Sequence, residues 1–489
     1  MQEGYIGIDL GTSSVKIILM DEEGKIIRTV SREYPLSFPR PGWSEQAPED
    51  WYEKSLDGLK ELVAGMESKI RGISFGGQMH GLVCLDSEDK VIRPAILWND
   101  GRTEKECEYL NNDIGRDVLS AETGNIAFAG FTAPKLLWMK ANEPENFAKI
   151  KKIMLPKDYL AYRFSGVHAT DLSDASGMLL LDVEHRKWSE KMCEICGVEK
   201  EWLPQLFESY EVIGTVRKDM ADALGFGADV KVIAGAGDNA AAAVGTGTVG
   251  NGDCNISLGT SGTIFISSDK YSVDAHNALH SFDHANGRYH LMGCMLSAAS
   301  CNQWWMGNIL RDKDFAGAQA EIKELGTNRV FYLPYLMGER SPHNDPNARA
   351  AFVGMSLDTS RADMLQAVYE GVSFAIRDSF EVAKASGIAV PRTKICGGGA
   401  KSPLWRRIMA NVLNIPVDSI ESEEGPALGG AMLAAVGCGR FASVEEAAER
   451  IVKTVGTVEP EKDIAEKYEE RYQVFREIYP ALKPVYPKL

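Results

Sequence analysis

An acidic residue follows a short apolar segment near the middle of the chain. Residues 232–241 read VIAGAGDNAA, so Asp238 and Asn239 come directly after small residues that let another molecule approach closely. An acid displayed at the end of a strand is a common arrangement for a catalytic carboxylate. Aspartate is also a preferred helix cap, and an alanine-rich helix is predicted from Ala240. This stretch alone is therefore compatible with either a catalytic base or a cap.

Two similar turns rich in glycine and hydroxyl groups occur in the two halves of the chain. Residues 8–14 read IDLGTSS and residues 256–262 read ISLGTSG, and they align without a gap. Gly11 of the first turn corresponds to Gly259 of the second, about half of the chain further on. This pattern indicates an internal duplication of a strand–turn–strand unit.

These turns have the composition of a phosphate site. The backbone N–H groups, together with the hydroxyls of Thr12, Ser13 and Thr260, can bind phosphate oxygens. Only the first copy carries an acid, Asp9, because Ser257 stands at the equivalent position of the second. Two such turns facing each other could hold a di- or triphosphate while Asp9 holds a metal ion.

A third polar motif follows another predicted strand. Residues 76–81 read GGQMHG, so Gln78, Met79 and His80 lie between glycines after the strand at 70–75. His80 is a candidate ligand for a hydroxylated substrate, and the flanking glycines favour this role. The alternative is a histidine that is hydrogen-bonded within the fold.

A fourth motif lies near the C-terminal end. A strand at 394–396 runs into GGGAKS at 397–402, and Pro403 stands near the first turn of a helix that ends at Leu413. Such a unit lets a ligand approach the backbone closely. Its spacing matches neither a Walker loop nor a dinucleotide-binding fingerprint, and a simple tight turn remains an alternative.

The composition excludes several classes of partner. The chain has 489 residues, 44% hydrophobic and 25% charged, with a net charge of −16 and no basic cluster. We therefore expect no nucleic-acid and no membrane partner, and a soluble protein of at least two domains. The sequence shows no signal peptide and no bilayer-spanning run, and nine scattered cysteines fit a reducing cytoplasm. Cys193 and Cys196 are predicted in a helix rather than in a metal site.

The remaining pattern predicts the supporting elements. We expect an antiparallel meander over residues 5–34, a helix over 48–66, strands that include 91–97, helices over 296–310 and 361–386, and a mostly helical region over about 102–210 that covers the substrate. Gly245–Gly252 is a candidate domain junction and pivot. The predicted domains are 1–245, 254–440 and a helical extension at 441–489.

The order of these motifs resembles the FGGY carbohydrate kinases, within the actin/hexokinase/Hsp70 superfamily, over nearly the whole chain. Residues 131–138 and 354–371 are similar to the two signature regions of that family. The resemblance implies an α/β fold with two ribonuclease-H-like domains flanking a catalytic cleft. The motif at 77–81 is similar to that of the family members that act on xylulose.

The resemblance also implies roles for individual residues. Asp238 would be the catalytic base, Asp9 would act on Mg²⁺ and its waters, and Gln78, Met79, His80 and Asn239 would meet the sugar with Asp238. The residues implied for ATP are Gly11, Thr12, Ser13, Gly259, Thr260, Gln303, Gly398, Gly399 and Ser402. ATP and Mg²⁺ would be the cofactors. Family members are often dimers, so the resemblance makes a homodimer one candidate for the oligomeric state, which the sequence does not give.

The substrate is less closely specified. Glycerol kinases carry Arg-Glu-type residues where this chain has Met79 and His80, which disfavours glycerol. The resemblance points to D-xylulose, phosphorylated to D-xylulose 5-phosphate, and leaves L-xylulose, ribulose and related polyols as alternatives. Two other classes remain: a non-metabolic ATPase of the same superfamily, such as a chaperone or filament protein, and a sugar sensor that has lost catalysis.

Overall fold

Two seven-stranded mixed sheets carry the two halves of the chain in the computed structural model, which describes residues 3–422 and 424–489. The first sheet has the order β5-β6-β4-β1-β2-β3, with β7 paired to β4. Its strands are β1 (Gly4–Leu10), β2 (Ser14–Asp21), β3 (Ile26–Glu33), β4 (Ile70–Gly77), β5 (Val212–Thr215), β6 (Lys231–Ile233) and β7 (Ala236–Gly237).

The second sheet has the order β10-β11-β9-β8-β12-β13-β14. Its strands are β8 (Cys254–Leu258), β9 (Gly262–Ser268), β10 (His280–Asp283), β11 (Tyr289–Met295), β12 (Thr393–Cys396), β13 (Val417–Ile420) and β14 (Thr454–Val458). Five short strand pairs lie outside the two sheets: Glu45–Gln46 with Ala95–Ile96, Val83–Leu85 with Lys152–Met154, Ala169–Asp171 with Gln205–Phe207, Leu181–Asp182 with Lys187–Trp188, and Phe331–Leu333 with Ala351–Val353.

The predicted duplication is visible in the strand pairing. In the first half, β1 pairs antiparallel with β2 and parallel with β4. In the second half, β8 pairs antiparallel with β9 and parallel with β12. The two glycine-rich turns therefore occupy equivalent places, each between the first two strands of its sheet.

Helices cover both faces of the first sheet and one face of the second. They are α1 (Pro48–Val63), α2 (Glu104–Glu108), α3 (Arg116–Thr123), α4 (Thr132–Asn142), α5 (Pro144–Phe147), α6 (Pro156–Ser165), α7 (Leu172–Ala175), α8 (Glu190–Cys196), α9 (Lys218–Leu224), α10 (Asp238–Gly245), α11 (Ala299–Trp304), α12 (Phe315–Ala320), α13 (Arg361–Ala385), α14 (Pro403–Leu413), α15 (Gly425–Gly437), α16 (Val444–Ile451) and α17 (Lys462–Leu482). Within the described residues, no helix is both long and apolar enough to cross a membrane.

Two predicted elements differ in the structure. The strand expected over residues 91–97 is reduced to Ala95–Ile96, because Pro94 has no N–H group to donate to a neighbouring strand. The helix expected over 296–310 is α11 followed by a wider π-helical segment, Trp305–Leu310. The predicted meander and the helix α13 are confirmed.

Helix α15 belongs to the second half in sequence but packs on the first sheet. A Cβ atom at Gly7 would lie 2.0 Å from the carbonyl oxygen of Ala427, so β1 and α15 touch through their backbones. Residues of α15 and α16 share a hydrophobic cluster with Tyr5, Ile18 and Met20. The division into 1–245, 254–440 and 441–489 stays a prediction, and β14 and α16 show that the last range supplies more than an added helix.

The region of the chain between β4 and β5 forms its own core. Short helices from α2 to α8 enclose buried residues that include Met79 and Phe131, and this core also takes in Phe282 and Met292 of the second half. The region therefore bridges the two halves beside the 76–81 motif.

Candidate active site

Asp238 begins helix α10 directly after the small residues of β7. Gly237 occupies the N-cap position, so Asp238 is the first helical residue and not the cap itself. Its Oδ1 accepts hydrogen bonds from the backbone N–H of Asn239 (2.7 Å) and from the Asn239 Nδ2 (2.9 Å). Oδ1 thus satisfies one amide of the first turn, whereas no described residue donates a hydrogen bond to Oδ2.

Asp238 lines a cavity of about 570 Å³ between α10, the start of α15 and the second sheet. The sheet contributes mainly polar side chains to this cavity, including Asn255, Ser257 and Thr263. Burial raises the pKa of Asp238 to about 6, against the opposing effect of the two hydrogen bonds from Asn239. A carboxylate with this pKa is ionised at neutral pH and is still basic enough to accept a proton.

Asp9, in β1, is the second acid of this region. Burial, followed by the charge of Asp238, raises the pKa of Asp9 to about 7, while Lys16 acts in the opposite direction. No hydrogen bond to the Asp9 carboxylate is formed within the described residues. Two neighbouring acids with raised pKa values create a site that favours a cation.

The donor set fits magnesium better than a metal held by protein alone. Within residues 3–422 and 424–489, no group of three or more His, Cys, Asp and Glu side chains is placed to hold a metal ion. Mg²⁺ usually binds one or two carboxylates and completes its shell with water and substrate phosphates. Asp9 can supply such a carboxylate. Cys193 and Cys196 are buried free thiols within α8 and form no part of this site.

Hydrogen bonds within the protein fix the first glycine-rich turn. The Gly11 N–H donates to the Ser14 carbonyl (3.0 Å), and the Gln46 side chain donates to the Thr12 carbonyl (2.6 Å). The Thr12 hydroxyl accepts a hydrogen bond from the Trp98 indole (2.9 Å). The N–H groups of Thr12 and Ser13 find no acceptor in the described part of the chain, so they are available to a ligand.

The second turn is anchored through its carbonyl groups. The Gly259 carbonyl accepts from the Ala299 N–H (2.9 Å), and the Thr260 carbonyl accepts from the Ser300 hydroxyl (2.7 Å). These bonds attach the turn to the start of α11. The Thr260 N–H has no acceptor among the described residues and is free for a phosphate oxygen.

Six of the residues predicted to bind the nucleotide line one further cavity, with a volume of about 590 Å³. They are Gly259, Thr260, Gln303, Gly398, Gly399 and Ser402. Ser402 caps α14 by accepting from the Trp405 N–H (3.1 Å), and its hydroxyl donates to Gln319 (2.6 Å). Gly397 has a φ of +87°, and a Cβ there would lie 2.7 Å from the Leu258 carbonyl oxygen, so the glycine permits close contact with β8.

The sequence did not identify several residues of this second cavity. They are Asn302, Phe315, Ala316, Gln319 and Trp405. Their positions in the chain carry no shared motif, since they come from α11, α12 and the segment around α14. Only the proximity of Asn302 to Gln303 could have suggested one of them.

His80 is held in a left-handed backbone conformation with φ of 70°. Its Nδ1 lies 2.8 Å from the Gly177 carbonyl oxygen, and its ring lies 4.7 Å from the Phe131 ring. Burial, followed by the charge of Lys135, lowers the pKa of His80 to about 3. The imidazole is therefore neutral. With its proton on Nδ1, donated to Gly177, Nε2 is an acceptor suited to a hydroxyl group.

Gln78 and Met79 occupy more buried positions than His80. Gln78 is 1% exposed, and its Nε2 donates to Gln46 (3.1 Å), behind the first turn. The Met79 sulfur lies 3.9 Å from the Asn239 Nδ2. A Cβ at Gly237 would lie 3.0 Å from that sulfur, so Met79 fills the space beside the start of α10. These contacts join the 76–81 motif to the Asp238 segment.

A buried ionic network supports the same segment and was not identified from the sequence. The Gly237 N–H donates to the Ser173 hydroxyl (3.2 Å), which donates to Asp171 (2.5 Å). The Lys157 ammonium pairs with Asp171 (2.8 Å) and Asp158 (2.5 Å), and all three side chains are at most 1% exposed. The network fixes the backbone immediately before Asp238.

Two family models match the chain. The N-terminal domain of the FGGY family of carbohydrate kinases matches residues 4–245, and the C-terminal domain of the same family matches residues 254–438. Together the two matches include both glycine-rich turns, the 76–81 motif, Asp238 and the 397–402 segment.

Individual relatives are similar to this chain over nearly its full length. The chain is 40% identical to the xylulose kinase of Escherichia coli (strain K12), covering 98% of this chain and 99% of the relative. A crystal structure of a xyloylose kinase from Brucella ovis superposes with a TM-score of 0.94 at 39% identity, covering 99% and 100% of the two chains. A gluconate kinase from Lactobacillus acidophilus gives a TM-score of 0.95 at 27% identity, covering 100% of both chains.

Proposed function

The chain belongs to the FGGY family of carbohydrate kinases, and we propose that it transfers the γ-phosphoryl group of ATP to D-xylulose, giving D-xylulose 5-phosphate. The observation that supports the proposal is that Asn239, next to Asp238, contacts Met79 of the 76–81 motif (3.9 Å), while Asp238 lines one cavity with Gly398 of the 397–402 segment. Xylulose kinases are also prominent among the full-length relatives.

In this proposal Asp238 acts as the general base. The sugar hydroxyl forms a bond to the γ-phosphorus, its proton passes to Asp238 Oδ2, and the bond between the γ-phosphorus and the bridging oxygen of ADP breaks. Asn239 keeps Oδ1 occupied, which leaves Oδ2 directed at the substrate. His80 Nε2 accepts a hydrogen bond from a sugar hydroxyl, and Met79 limits the space next to Asp238.

The nucleotide would lie between the two halves. The free N–H groups of Thr12, Ser13 and Thr260 bind phosphate oxygens, and adenosine occupies the cavity lined by Gln303 and Gly398. Asp9 would hold Mg²⁺ through its carboxylate, directly or through water. When bound, the ion neutralises the negative charge of the phosphates during transfer.

Water must be kept from replacing the sugar as the acceptor. Closure of the two halves on the sugar, with a pivot near 245–252, would exclude water and bring the two turns together. The candidate homodimer and the cytoplasmic location expected from the sequence stay predictions.

The fold alone does not select the sugar, since a gluconate kinase superposes as well as a xyloylose kinase does. A coupled assay of ADP release over D-xylulose, L-xylulose, D-ribulose, L-ribulose, xylitol, glycerol and gluconate tests the proposal. We expect the highest kcat/KM with D-xylulose. Preference for another sugar would overturn the substrate, and ADP release indifferent to every sugar would favour a non-metabolic ATPase.

Replacing His80 by alanine should raise the KM for D-xylulose about 2- to 10-fold, because one hydrogen bond to the sugar is lost. The affinity for ADP should not change, since the imidazole is hydrogen-bonded to Gly177 and packs at a tilt against Phe131, and His80 does not line the nucleotide cavity. Steady-state kinetics and ADP titration measure the two effects. The exposed His185 gives a matched control, His185→Ala. Equal losses for sugar and ADP would contradict the assigned role of His80.

The acid limb of the pH profile should report Asp238. An aspartate is ordinarily ionised above pH 4, but burial raises the pKa of Asp238 to about 6. We therefore expect kcat/KM for D-xylulose to fall about tenfold per pH unit below pH 6, as the base becomes protonated. The profile is measured at saturating MgATP, with circular dichroism to show that the protein stays folded. A profile flat down to pH 4.5 would exclude Asp238 as the base.

A further inference from the structure

A basic side chain of the second half lies beside the proposed sugar pocket. Arg340 follows the short strand Phe331–Leu333, and its guanidinium carbon lies 5.0 Å from the ring centre of Phe128. The Phe128 ring lies 5.6 Å from Phe131, which in turn lies 4.7 Å from His80. Arg340 therefore approaches the aromatic wall of the pocket from the opposite half of the molecule.

The backbone around Arg340 is firmly held. The buried Glu339 carboxylate accepts from the N–H groups of Arg340 (2.8 Å) and Leu296 (3.0 Å). Ser341 exchanges two hydrogen bonds with Cys294 in β11, at 2.9 and 3.0 Å. These contacts fix the start of the Arg340 side chain on the second sheet.

The guanidinium itself is left without an ionic partner. Among residues 3–422 and 424–489, no carboxylate oxygen lies within 4.0 Å of it, although it is partly buried in the cleft. Many other arginines of the chain pair with acids, for example Arg102 with Asp100 at 2.7 Å. The guanidinium contacts the Cys294 side chain, which takes up only part of its five N–H donors. A partly buried cation with further N–H donors favours a ligand that supplies oxygen atoms.

We propose that Arg340 binds the sugar, donating hydrogen bonds to its hydroxyl or carbonyl oxygens from the second half while His80 contacts it from the first. The inference rests on the proposed function, since it takes the pocket beside His80 as the sugar site. A ketose carries both kinds of oxygen and matches the five donors of a guanidinium. A sugar held by both halves would also draw them together, which links sugar binding to closure.

Kinetics and titration of Arg340→Gln and Arg340→Lys test this role. A hydrogen bond from a charged group contributes about 1.5–3 kcal/mol, so Arg340→Gln should raise the KM and the Kd for D-xylulose about 10–100-fold. The affinity for ADP should stay within about twofold. Arg340→Lys should lie between wild type and Arg340→Gln, because it retains the charge but not the fork of donors.

The control is Arg349→Gln, in the same loop region. Arg349 is exposed and donates only to the carbonyls of Pro346 (2.9 Å) and Ala348 (2.8 Å), so its replacement should leave both affinities unchanged. An unchanged sugar KM in Arg340→Gln would overturn the inference. Loss of both sugar and ADP binding together with a lower Tm would also overturn it, because the variant would then be destabilised as a whole. Weaker binding of D-xylulose 5-phosphate alone would assign Arg340 to the phosphate of the product and would likewise overturn the inference.

Failure of the proposed function is a separate outcome. Wild-type turnover across the sugar panel tests which substrate is used. The ratio of the Arg340→Gln KM to the wild-type KM is then measured with the sugar that wild type uses best. D-xylulose can therefore fail as the substrate while the role of Arg340 holds. Conversely, D-xylulose can be the substrate while the Arg340→Gln variant shows an unchanged KM.

Discussion

Replacing Asp238 by asparagine should lower the rate of phosphoryl transfer by about 10²–10⁴-fold, the usual cost of losing a general base. Asparagine has nearly the same size and can still accept the hydrogen bonds that Asn239 donates to Asp238 Oδ1. It cannot accept the proton of the sugar hydroxyl. D-xylulose and ADP should therefore still bind, with Kd values within several-fold of wild type.

Single-turnover phosphoryl transfer and equilibrium titration separate these effects. Asp219→Asn is the matched control, because Asp219 is an exposed acid of the same half, paired with Arg217 at 3.1 Å. If Asp238→Asn kept near-normal turnover, the role of Asp238 would be limited to accepting hydrogen bonds from Asn239 in the first turn of α10. That result would remove the central residue of the proposed mechanism.

A single methyl group at Gly429 should destabilise the fold by about 1–3 kcal/mol or more. Helices α10 and α15 cross at this point, and a Cβ at Gly429 would lie 1.8 Å from the Ala241 carbonyl oxygen. A Cβ at Gly245 would lie 2.1 Å from the Gly425 carbonyl oxygen, so the helices touch through their backbones. Backbone atoms cannot rotate away as a side chain can, and the helices must separate.

Urea unfolding of Gly429→Ala measures this cost. Gly425→Ala is the control on the same helix, because a Cβ there would meet only Ala242 Cβ at 3.9 Å. We expect the control to change stability by no more than about 0.5 kcal/mol. Equal midpoints for the two variants would show that the crossing can widen at little cost. Loss of kcat in Gly429→Ala would also be expected, since α10 carries Asp238.

The parts of the site that could be predicted from the sequence are those carried by continuous motifs. The turns around Gly11 and Gly259, the strand before His80 and the start of α10 at Asp238 each lie within a few residues of their own signal. The family and the two-domain α/β fold, predicted from the order of the motifs, are confirmed by the matches to both FGGY domains.

What could not be predicted depends on contacts between distant parts of the chain. Ser173 and Lys157 support the segment before Asp238, yet neither stands in a motif or near residue 238 in sequence. The Gly425–Gly429 spacing is typical of a helix that packs closely on another, but the sequence does not name the partner. For Gln78 the motif is visible in the sequence but the burial is not: its side chain is 1% exposed and donates to Gln46, and its contact with the sugar stays a prediction.

The packing of α15 and α16 on the first sheet also bears on how the protein is made. All strands of that sheet have been synthesised once residue 237 has been added to the chain. Tyr5, Ile18 and Met20 nevertheless gain their full cover only when residues 425–451 emerge. The nascent first half therefore exposes an apolar sheet face throughout synthesis of the second half, a period in which it is open to chaperones and to aggregation.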